Sequence, residues 1–471
     1  MECEKRMHKS QLTRTKKLGY CSGISAESIL YNMYYTYYLV FLTDVAHMSP
    51  SLAGTVSLIS VIWDAVTDPI IGHFADKKGA DKRKFMLRAA FPLGITFVAA
   101  FIPLGEVNDI FKFIFYTAMT MVFWLAYTVY TIPYYAVVAE ITEDYDERTD
   151  IRGKSSLFNT LAILLGNAVP ALLPGLIIGM GVSASVGWLL TSALLAVLAV
   201  FSAVVASLSL RGIELKKAEQ AGTQEKIRVS QYIQILRIKP FRWFVMFVFF
   251  FLVASAMIQT NFAYLVQSRL GMSDDGMVIV IITLVASMGL MIPVVTKLAE
   301  KTDRRKTGIL FISVMLVALL IIKLIGIDNT PMLIASVFAV ALGLACFWTI
   351  FYSMAYDLVE VDEFVNNKRR ESMITAFPQF FQKFGAAIGM WIAGQVLDFG
   401  GYNGELAVQS EKAKDAIENI ATVIPAVFLV LALIGIIMYP VTKERFSLLT
   451  EELEKKRGGK EYDTKGLEKL I

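Results

Sequence analysis

The feature that most constrains this chain is a series of twelve apolar stretches, each about as long as a membrane crossing. A helix needs roughly 20 apolar residues to cross about 30 Å of hydrocarbon. Because lipid offers backbone groups no hydrogen-bond partner, every crossing segment is expected to be helical. A hydrophobic content of 56% agrees with a membrane protein. The stretches lie near 19–45, 51–75, 85–105, 109–140, 155–181, 184–210, 240–268, 275–299, 307–327, 331–357, 372–399 and 420–441.

The short loops differ in their content of lysine and arginine, and this difference predicts the orientation. Loops rich in these residues stay on the cytoplasmic side of a membrane. We therefore expect a multi-pass protein of the cell inner (plasma) membrane with both termini in the cytoplasm. The first tail carries Lys5, Arg6, Lys9, Arg14, Lys16 and Lys17, the loop after the second stretch carries Lys77, Lys78, Lys82, Arg83, Lys84 and Arg88, and the opposite loops carry only Lys112, Arg269, Lys412 and Lys414.

The chain also contains an internal repeat. GHFADKKGADKRKF after the second stretch and TKLAEKTDRRKTGI after the eighth both place an acid before a basic cluster. An even number of crossings per half gives the two copies the same orientation, which is typical of major facilitator transporters. The predicted fold class is an all-α membrane protein with 12 transmembrane helices in two six-helix bundles, the major facilitator fold. The expected parts are a cytoplasmic tail (1–18), an N-terminal bundle (19–210), a cytoplasmic linker (211–239), a C-terminal bundle (240–441) and a solvated, charged cytoplasmic tail (442–471).

Two aspartates interrupt the second apolar stretch, in the string WDAVTDPIIG. Asp64 and Asp68 are four residues apart, so on a helix they share one face. A carboxylate at mid-bilayer costs about 2.5–3.5 kcal/mol, which favours a functional role. Together with the hydroxyl of Thr67 and a carbonyl freed by Pro69, they offer the hard oxygen ligands that sodium prefers. The pair could instead hold a proton, or form a structural salt bridge with a cation on a neighbouring helix.

One lysine, Lys383, lies in the middle of the eleventh stretch, one turn from Gln379. A cation at that depth needs an anionic or polar partner, and Asp64 or Asp68 is the obvious candidate. Structural pairing and contact with a ligand are both compatible with this position. Small residues at 385–387 should let a neighbouring helix approach closely.

The fourth stretch carries a stripe of aromatic rings and hydroxyls. Trp124, Thr128, Thr131 and Tyr135 recur at intervals of four, three and four, so they share one helical face. Sugars bind by ring stacking together with hydroxyl contacts, so the stripe is a candidate sugar site. The alternative is a packed aromatic stripe or an interfacial belt.

The first stretch contains a further acid, Glu27, which shares a face with several tyrosines. Ser28 and Tyr35 lie beside that face. Glu27 is a candidate binding residue, although it could be simply hydrated near the cytoplasmic end of the helix.

Several classes of function are disfavoured by the remaining residues. The cysteines Cys3, Cys21 and Cys346 have no metal or disulfide spacing. A net charge of +4, with basic residues scattered among short loops, disfavours a nucleic-acid partner. An enzyme is disfavoured because none of the three histidines lies in a mid-span cluster, and no resident cofactor is expected. The histidines are His8, His47 and His73.

The chain resembles the glycoside–pentoside–hexuronide:cation symporters, the melibiose permease-like family of the major facilitator superfamily. The string WDAVTDPIIGHFAD and the string TIPYYAVVAEITEDYDERT carry most of the resemblance. YYLVFLTDV, YDLVEVDEFVNNKRRES and FFQKFGAAIG extend it over nearly the whole chain.

The resemblance implies a cation site formed by Asp64 and Asp68, with Thr67 in place of an asparagine and Thr128 as a matching threonine ligand. It also implies that Lys383 lies near both sites. The implied substrate-binding residues are Glu27, Ser28, Tyr35, Tyr127, Thr131, Tyr135, Gln379 and Lys383, and the implied inner-gate network is Asp357, Glu360 and Glu363 with Arg369 and Glu371.

Two departures from the family pattern concern the substrate. The family's melibiose carrier binds galactosides with two aspartates, and Ser28 and Thr131 stand at those positions. Its arginine in the fifth stretch also has no clear equivalent, because Ser156 aligns there. Galactosides are therefore not expected, and Glu27 could substitute for the missing acid in the first stretch.

The function expected from these observations is symport of a sugar or glycoside (pentoside, hexuronide or oligosaccharide) with Na⁺ or H⁺, by alternating access and as a monomer. The rivals are an exporter of a drug or lipid with the same fold, a non-transporting sugar receptor and a membrane-embedded enzyme. An exporter would have an apolar cavity without cation dependence, and a receptor would bind glycoside without counterflow.

Overall fold

A computed structural model describes residues 13–75, 81–141, 145–213, 234–272, 275–367, 371–406, 408–468 and 470. The described residues are helical apart from turns and short connections, and they contain no strand. The all-α fold class is therefore confirmed. The chain divides into two compact units, Met1–Thr223 with Asn403–Glu405, and Gln224–Tyr402 with Leu406–Ile471.

Seven helices form the described part of the first unit. Polar caps begin several of them, as where the Asp81 and Ser183 side chains accept backbone N–H groups of the first turn. The helices are α1 (Arg14–Ser22), α2 (Ile24–Val40, continued by a π-helical turn, Phe41–Val45), α3 (Pro50–Ala75), α4 (Lys82–Ala100), α5 (Asp109–Ile141), α6 (Tyr145–Gly179) and α7 (Ala184–Ser209).

The described part of the second unit begins with a short helical segment at 234–237, and eight further helices follow it. The Asp303 and Asn329 side chains cap two of them in the same way. The helices are α8 (Lys239–Tyr264, continued by a π-helical turn, Leu265–Arg269), α9 (Asp275–Lys301), α10 (Arg304–Ile325), α11 (Thr330–Asn366), α12 (Glu371–Gly400), α13 (Glu411–Ala421), α14 (Val423–Met438) and α15 (Lys443–Arg457).

All twelve predicted stretches coincide with helices. In the described part of the chain, nine segments are long and apolar enough to cross a membrane. The total of twelve crossings stays a prediction. The nine segments are Pro50–Gly72, Asp109–Val137, Gly153–Gly179, Ala184–Ser209, Lys239–Arg269, Gly276–Lys301, Arg304–Ile325, Thr330–Asn366 and Glu411–Met438.

The helices of each unit pack in the same pairs. In the first unit α2 packs on α6 and α7, while α4 packs on α5 and α7 and α3 packs on α5. In the second unit α8 packs on α12 and α14, while α10 packs on α11 and α14 and α9 packs on α11. This correspondence supports the internal repeat that the two basic loops indicate.

Glycines permit the closest of these approaches. A Cβ at Gly166 of α6 would lie 2.6 Å from the carbonyl oxygen of Ile29 in α2. In the second unit, a Cβ at Gly385 of α12 would lie 2.8 Å from the carbonyl oxygen of Phe249 in α8, so the predicted close approach at 385–387 is confirmed. Small residues at such positions let membrane helices pack backbone against backbone.

The segment after 442 differs from the solvated tail that its charges indicate. Its first part is the helix α15, in which Leu449 and Leu453 are buried, and Leu467 and Leu470 are buried further along. Lys456 Nζ donates to the carbonyl oxygen of Phe364 at 2.7 Å, which ties α15 to the end of α11. The prediction of a solvated segment was wrong because two buried leucine pairs anchor the segment to the second unit.

Candidate functional site

Thr128 of α5 lies between two carboxylates of α3. Its hydroxyl oxygen is 2.8 Å from Asp64 Oδ1 and 2.9 Å from Asp68 Oδ1. The carboxylates lie together because their residues are one helical turn apart. Asp64 is 1% exposed and Thr128 is 0% exposed, whereas Asp68 is half-buried. The fold thus brings together three of the four predicted cation-binding residues.

The number of hydrogens limits what this cluster can do without a ligand. A threonine hydroxyl has one hydrogen, so Thr128 cannot donate a full hydrogen bond to both carboxylates at once. Two carboxylates this close also repel each other, most strongly where water is excluded. A proton on one carboxyl group or a small cation between the oxygens removes both problems. Hard oxygen ligands of this kind suit a cation such as sodium.

The fourth predicted cation-binding residue, Thr67, contacts the backbone of Asp64 and not its carboxylate. Thr67 is buried, and its hydroxyl donates to the backbone carbonyl of Asp64 at 3.1 Å. Helix α3 continues past Pro69, whose side chain lies outside the described residues. Within the described ranges, no group of three or more His, Cys, Asp and Glu side chains is placed to hold a metal ion. A cation here would therefore be held by carboxylate oxygens together with hydroxyl or carbonyl oxygens.

Aromatic rings from α2 and α5 pack together, and the two rings of α5 belong to the helical turn that precedes Thr128. The Tyr31 and Tyr35 ring centroids are 4.3 Å apart, and Trp124 packs 5.0 Å from Tyr127. Tyr31 joins the two pairs, because it lies 6.3 Å from Trp124 and 6.5 Å from Tyr127. The indole N–H of Trp124 is buried and donates to no acceptor in the part of the chain that the structure describes. We call Tyr31, Tyr35, Trp124 and Tyr127 the aromatic cluster.

Glu27, the acid of the first stretch, is joined to the same helical stripe of α5. The hydroxyl of Tyr135 donates to Glu27 Oε2 at 2.7 Å. Glu27 is half-buried and Tyr135 is 53% exposed, so this pair is not enclosed within the first unit. Thr131, one turn before Tyr135 on the stripe, is buried. The two predicted substrate-binding residues Glu27 and Tyr135 are therefore partners, although their helices are far apart in the chain.

Two asparagines of α6, which were not among the predicted residues, also belong to this region. Ser28 donates its hydroxyl to the side-chain oxygen of Asn159. Asn167 accepts from Thr36 at 2.9 Å and donates to Asn32 at 3.2 Å. Ser156, which aligns with the arginine of the family's melibiose carrier, is exposed. The sequence feature that could have indicated them is their spacing, because Asn159 and Asn167 lie two helical turns apart within an apolar segment.

The second unit carries the remaining predicted residues. Lys383 and Gln382 are half-buried on α12, whereas the side chain of Gln379 lies outside the described residues. Glu363 pairs with Arg457 of α15 through two bonds of 2.7 and 2.6 Å. Asp357 pairs with Arg304, a residue of the repeated basic loop.

The predicted inner-gate network is therefore only partly described. Glu360 is half-buried on α11, between Asp357 and Glu363 in the chain. Arg369 lies outside the described residues, and so does the side chain of Glu371. Two arginines outside the predicted network, one from α10 and one from α15, pair with two of the predicted acids.

Comparisons with known proteins agree with this fold. A family model described as MFS/sugar transport protein matches residues 19–443. The uncharacterized symporter YnaJ of Bacillus subtilis is 27% identical over 453 residues, covering 94% of this chain and 95% of the relative. The isoprimeverose transporter of Lactiplantibacillus pentosus is 23% identical over 462 residues, covering 96% and 93%. The sodium-dependent lysophosphatidylcholine symporter 1 of Xenopus tropicalis is 21% identical over 446 residues, covering 86% and 83%.

A solved structure shows the same fold. The bacterial homolog of the human lysosomal transporter Spinster, in an inward-facing and unoccupied conformation, matches with a TM-score of 0.67 at 13% identity. The match covers 90% of this chain and 98% of that chain. At this identity the likeness carries information about the fold alone. The chain belongs to the family of MFS/sugar transport proteins, in agreement with its resemblance to the glycoside–pentoside–hexuronide:cation symporters.

Proposed function

We propose that this protein is a secondary active transporter that moves a sugar or glycoside together with Na⁺ or H⁺ by alternating access. The observation that carries the proposal is the contact of one buried hydroxyl, that of Thr128, with the carboxylates of Asp64 and Asp68. A cation or proton bound there would offset the repulsion between two acids in an otherwise apolar helix.

Coupling between cation and substrate follows from the negative charge of the Asp64 and Asp68 carboxylates. Without a bound cation, closing the transporter would enclose two neighbouring carboxylates, whose mutual repulsion is costly at low dielectric. Cation binding removes that cost, and the substrate then favours the closed form by contacting several helices. Transport is coupled because the fully loaded form is more stable in the closed state than either half-loaded form. A membrane potential adds about 2.3 kcal/mol per charge per 100 mV to inward movement of the cation.

A sugar or glycoside fits the chemistry around the aromatic cluster. The aromatic rings of the cluster can stack on the apolar faces of a sugar. The Trp124 N–H and the Glu27 carboxylate can bind its hydroxyl groups. One relative is named as an isoprimeverose transporter, which supports a glycoside as the substrate class. The proposed substrate-binding residues are Glu27, Ser28, Tyr35, Tyr127, Thr131 and Tyr135 in the first unit, and Gln379 and Lys383 in the second.

Charged residues at the end of α11 are the proposed inner gate. Asp357 with Arg304 and Glu363 with Arg457 are ion pairs that an opening movement could break. Glu360, Arg369 and Glu371 complete the proposed network. The basic loops support a location in the cell inner (plasma) membrane, with both termini in the cytoplasm. We further propose that the protein works as a monomer, without a resident cofactor and without catalysing a chemical reaction.

The test is uptake of a substrate panel by sealed vesicles that contain the purified protein. The panel comprises radiolabelled pentosides, glucuronides and galactosides, with lysophosphatidylcholine added because one relative is named as its symporter. Sodium and proton gradients are imposed separately. The proposal expects one glycoside class to accumulate with one of the two gradients. Accumulation of lysophosphatidylcholine alone would indicate a lipid transporter instead. Glycoside binding without counterflow would indicate a receptor.

A further inference from the structure

An apolar groove lies between α8 and α12 in the second unit. It encloses about 250 Å³ and is lined almost wholly by apolar atoms. Four phenylalanines form most of its wall, and their edges are partly exposed. They are Phe249 and Phe250 of α8, and Phe381 and Phe384 of α12.

One lining residue is charged. Arg242 lies on the first turn of α8, eight residues before Phe250, which corresponds to about 12 Å along the helix axis. Its side chain is exposed and forms no ion pair or hydrogen bond with any residue in the described ranges. The groove therefore has a positive charge at the membrane-edge end of α8 and apolar rings deeper in the span.

Two further basic side chains lie beside that end of the groove. Lys239 is three residues before Arg242, so both project from the same face of α8. Arg237 follows Leu236, which is itself a lining residue. Arg237 and Lys239 are both exposed, and neither pairs with another residue that the structure describes. The start of α8 also lacks a side-chain cap, so its backbone N–H groups add positive charge there.

We propose that this groove binds one anionic phospholipid. The phosphate group contacts Arg242, with Lys239 and Arg237 beside it, and part of one acyl chain lies along the phenylalanines. The charge pattern selects an anionic headgroup, because three unpaired cations at a membrane edge gain far less from a zwitterionic lipid. The apolar wall selects a chain that continues into the hydrocarbon region. The groove is formed by residues of the second unit, whereas the acid pair and the aromatic cluster belong to the first unit.

The size of the effect can be stated for single variants. A basic side chain near a membrane surface strengthens attraction to anionic lipid by about fivefold. The variant Arg242→Gln keeps the length and polarity of the side chain but removes its charge. It should therefore weaken binding of phosphatidylglycerol by about fivefold. The variant Phe384→Leu shortens the apolar wall and should weaken binding of both phosphatidylglycerol and phosphatidylcholine.

The experiment is a titration of palmitoyl-oleoyl phosphatidylglycerol into the full-length protein in detergent, with bound lipid counted by native mass spectrometry. Phosphatidylcholine with the same chains is titrated in parallel. Arg211→Gln is the matched control, because Arg211 is an exposed arginine at the end of a span outside the groove. Melting curves of each variant show that the fold is retained.

One phosphatidylglycerol should bind more tightly than phosphatidylcholine, and Arg242→Gln but not Arg211→Gln should reduce this preference by about fivefold. Equal affinities for the two lipids in the unaltered protein would overturn the proposal. Equal losses in Arg242→Gln and Arg211→Gln would also overturn it, since they would indicate general attraction to the charged surface.

Discussion

Tyr135 of α5 and Glu27 of α2 are joined by a hydrogen bond of 2.7 Å from the phenol to the carboxylate. If Glu27 binds substrate, this bond holds its carboxylate in position. Tyr135→Phe removes one donor to a charged acceptor, which is worth about 1.5–3 kcal/mol when buried and less for a side chain that is 53% exposed. We expect a rise of about 5- to 10-fold in the apparent KM for uptake, with Glu27→Gln giving a larger rise.

The measurement is the concentration dependence of substrate uptake by vesicles with equal amounts of each variant. Tyr356→Phe is the control, because Tyr356 is similarly exposed on α11 of the second unit. An unchanged KM in Glu27→Gln would show that this carboxylate does not contact the substrate.

Gly166 and Gly153 provide a matched test of helix packing, because both belong to α6. A Cβ at Gly166 would lie 2.6 Å from a backbone oxygen of α2, whereas a Cβ at Gly153 would meet nothing within 4 Å. Gly166→Ala should therefore destabilise the protein by about 1–3 kcal/mol through overpacking. Gly153→Ala should stabilise it by up to about 1 kcal/mol, because alanine is the better helix former. Thermal melting of the two variants in the same detergent should give shifts of opposite sign; shifts of equal sign and size would contradict the close approach.

Arg269 lies at the centre of an ion cluster that its loop position did not indicate. It contacts Asp328 at 2.9 Å and Glu418 at 2.7 Å, and Lys323 contacts Glu418 at 3.0 Å. Glu418 is 4% exposed, so removing a cationic partner leaves a buried charge incompletely compensated. We expect Arg269→Gln to lower the free energy of unfolding by about 3 kcal/mol.

The measurement for this cluster is again thermal melting, with Arg211→Gln as an exposed arginine control. The control should change stability by less than about 0.5 kcal/mol. Indistinguishable melting of the two variants would mean that Lys323 alone compensates Glu418.

The segment after α15 should loosen at low pH. Hydrogen bonds from Lys455 and from the backbone N–H of Asp463 hold the pKa of the Glu452 carboxyl below its usual range. A lowered pKa in the folded state stabilises this arrangement above the ordinary glutamate pKa of about 4.3, and the stabilisation is lost as pH falls through the folded value. Amide hydrogen exchange over 460–468 should therefore be as slow at pH 5 as at pH 7, after correction for intrinsic rates, and faster below about pH 4.

The variant Glu452→Gln reproduces the loss of charge at neutral pH. It should increase exchange over the same residues at pH 7, whereas Glu451→Gln, which alters an exposed partner of Lys455, should change it little. Equal protection at pH 7 and at a pH well below the ordinary glutamate pKa of about 4.3 would show that the buried leucines alone hold the segment.

The pairing of the two acids could be predicted from helical spacing, whereas their contact with the Thr128 hydroxyl was implied by the family resemblance. Asp64 and Asp68 share a face by their separation of four, and Thr128 stands on a stripe with a regular period. The family resemblance then indicated that α3 and α5 meet. Helix positions were predictable for the same reason, since long apolar stretches in lipid have one stable backbone form.

Other features depend on which helices meet, and a single sequence does not contain that information. Asn159 and Asn167 are polar residues in a membrane helix, but their partners in α2 follow from the packing of α6 against it. The same holds for two ion pairs between helices, Arg304 with Asp357 and Arg457 with Glu363. In the last segment, Leu449 and Leu453 are too few to mark a buried helix among so many charges, and their burial depends on the second unit.

Binding of the coupling cation by Asp64 and Asp68 underlies the proposed transport function. The most direct measurement compares two activities of the Asp68→Asn protein in the same vesicles, with the exposed Asp109→Asn as control. Exchange of external labelled substrate for internal substrate needs no net cation movement, whereas accumulation against a gradient does. Asp68→Asn should retain exchange but bring substrate only to equal concentrations on both sides. Accumulation by this variant to the level of the unaltered protein, driven by a sodium or proton gradient, would contradict this expectation.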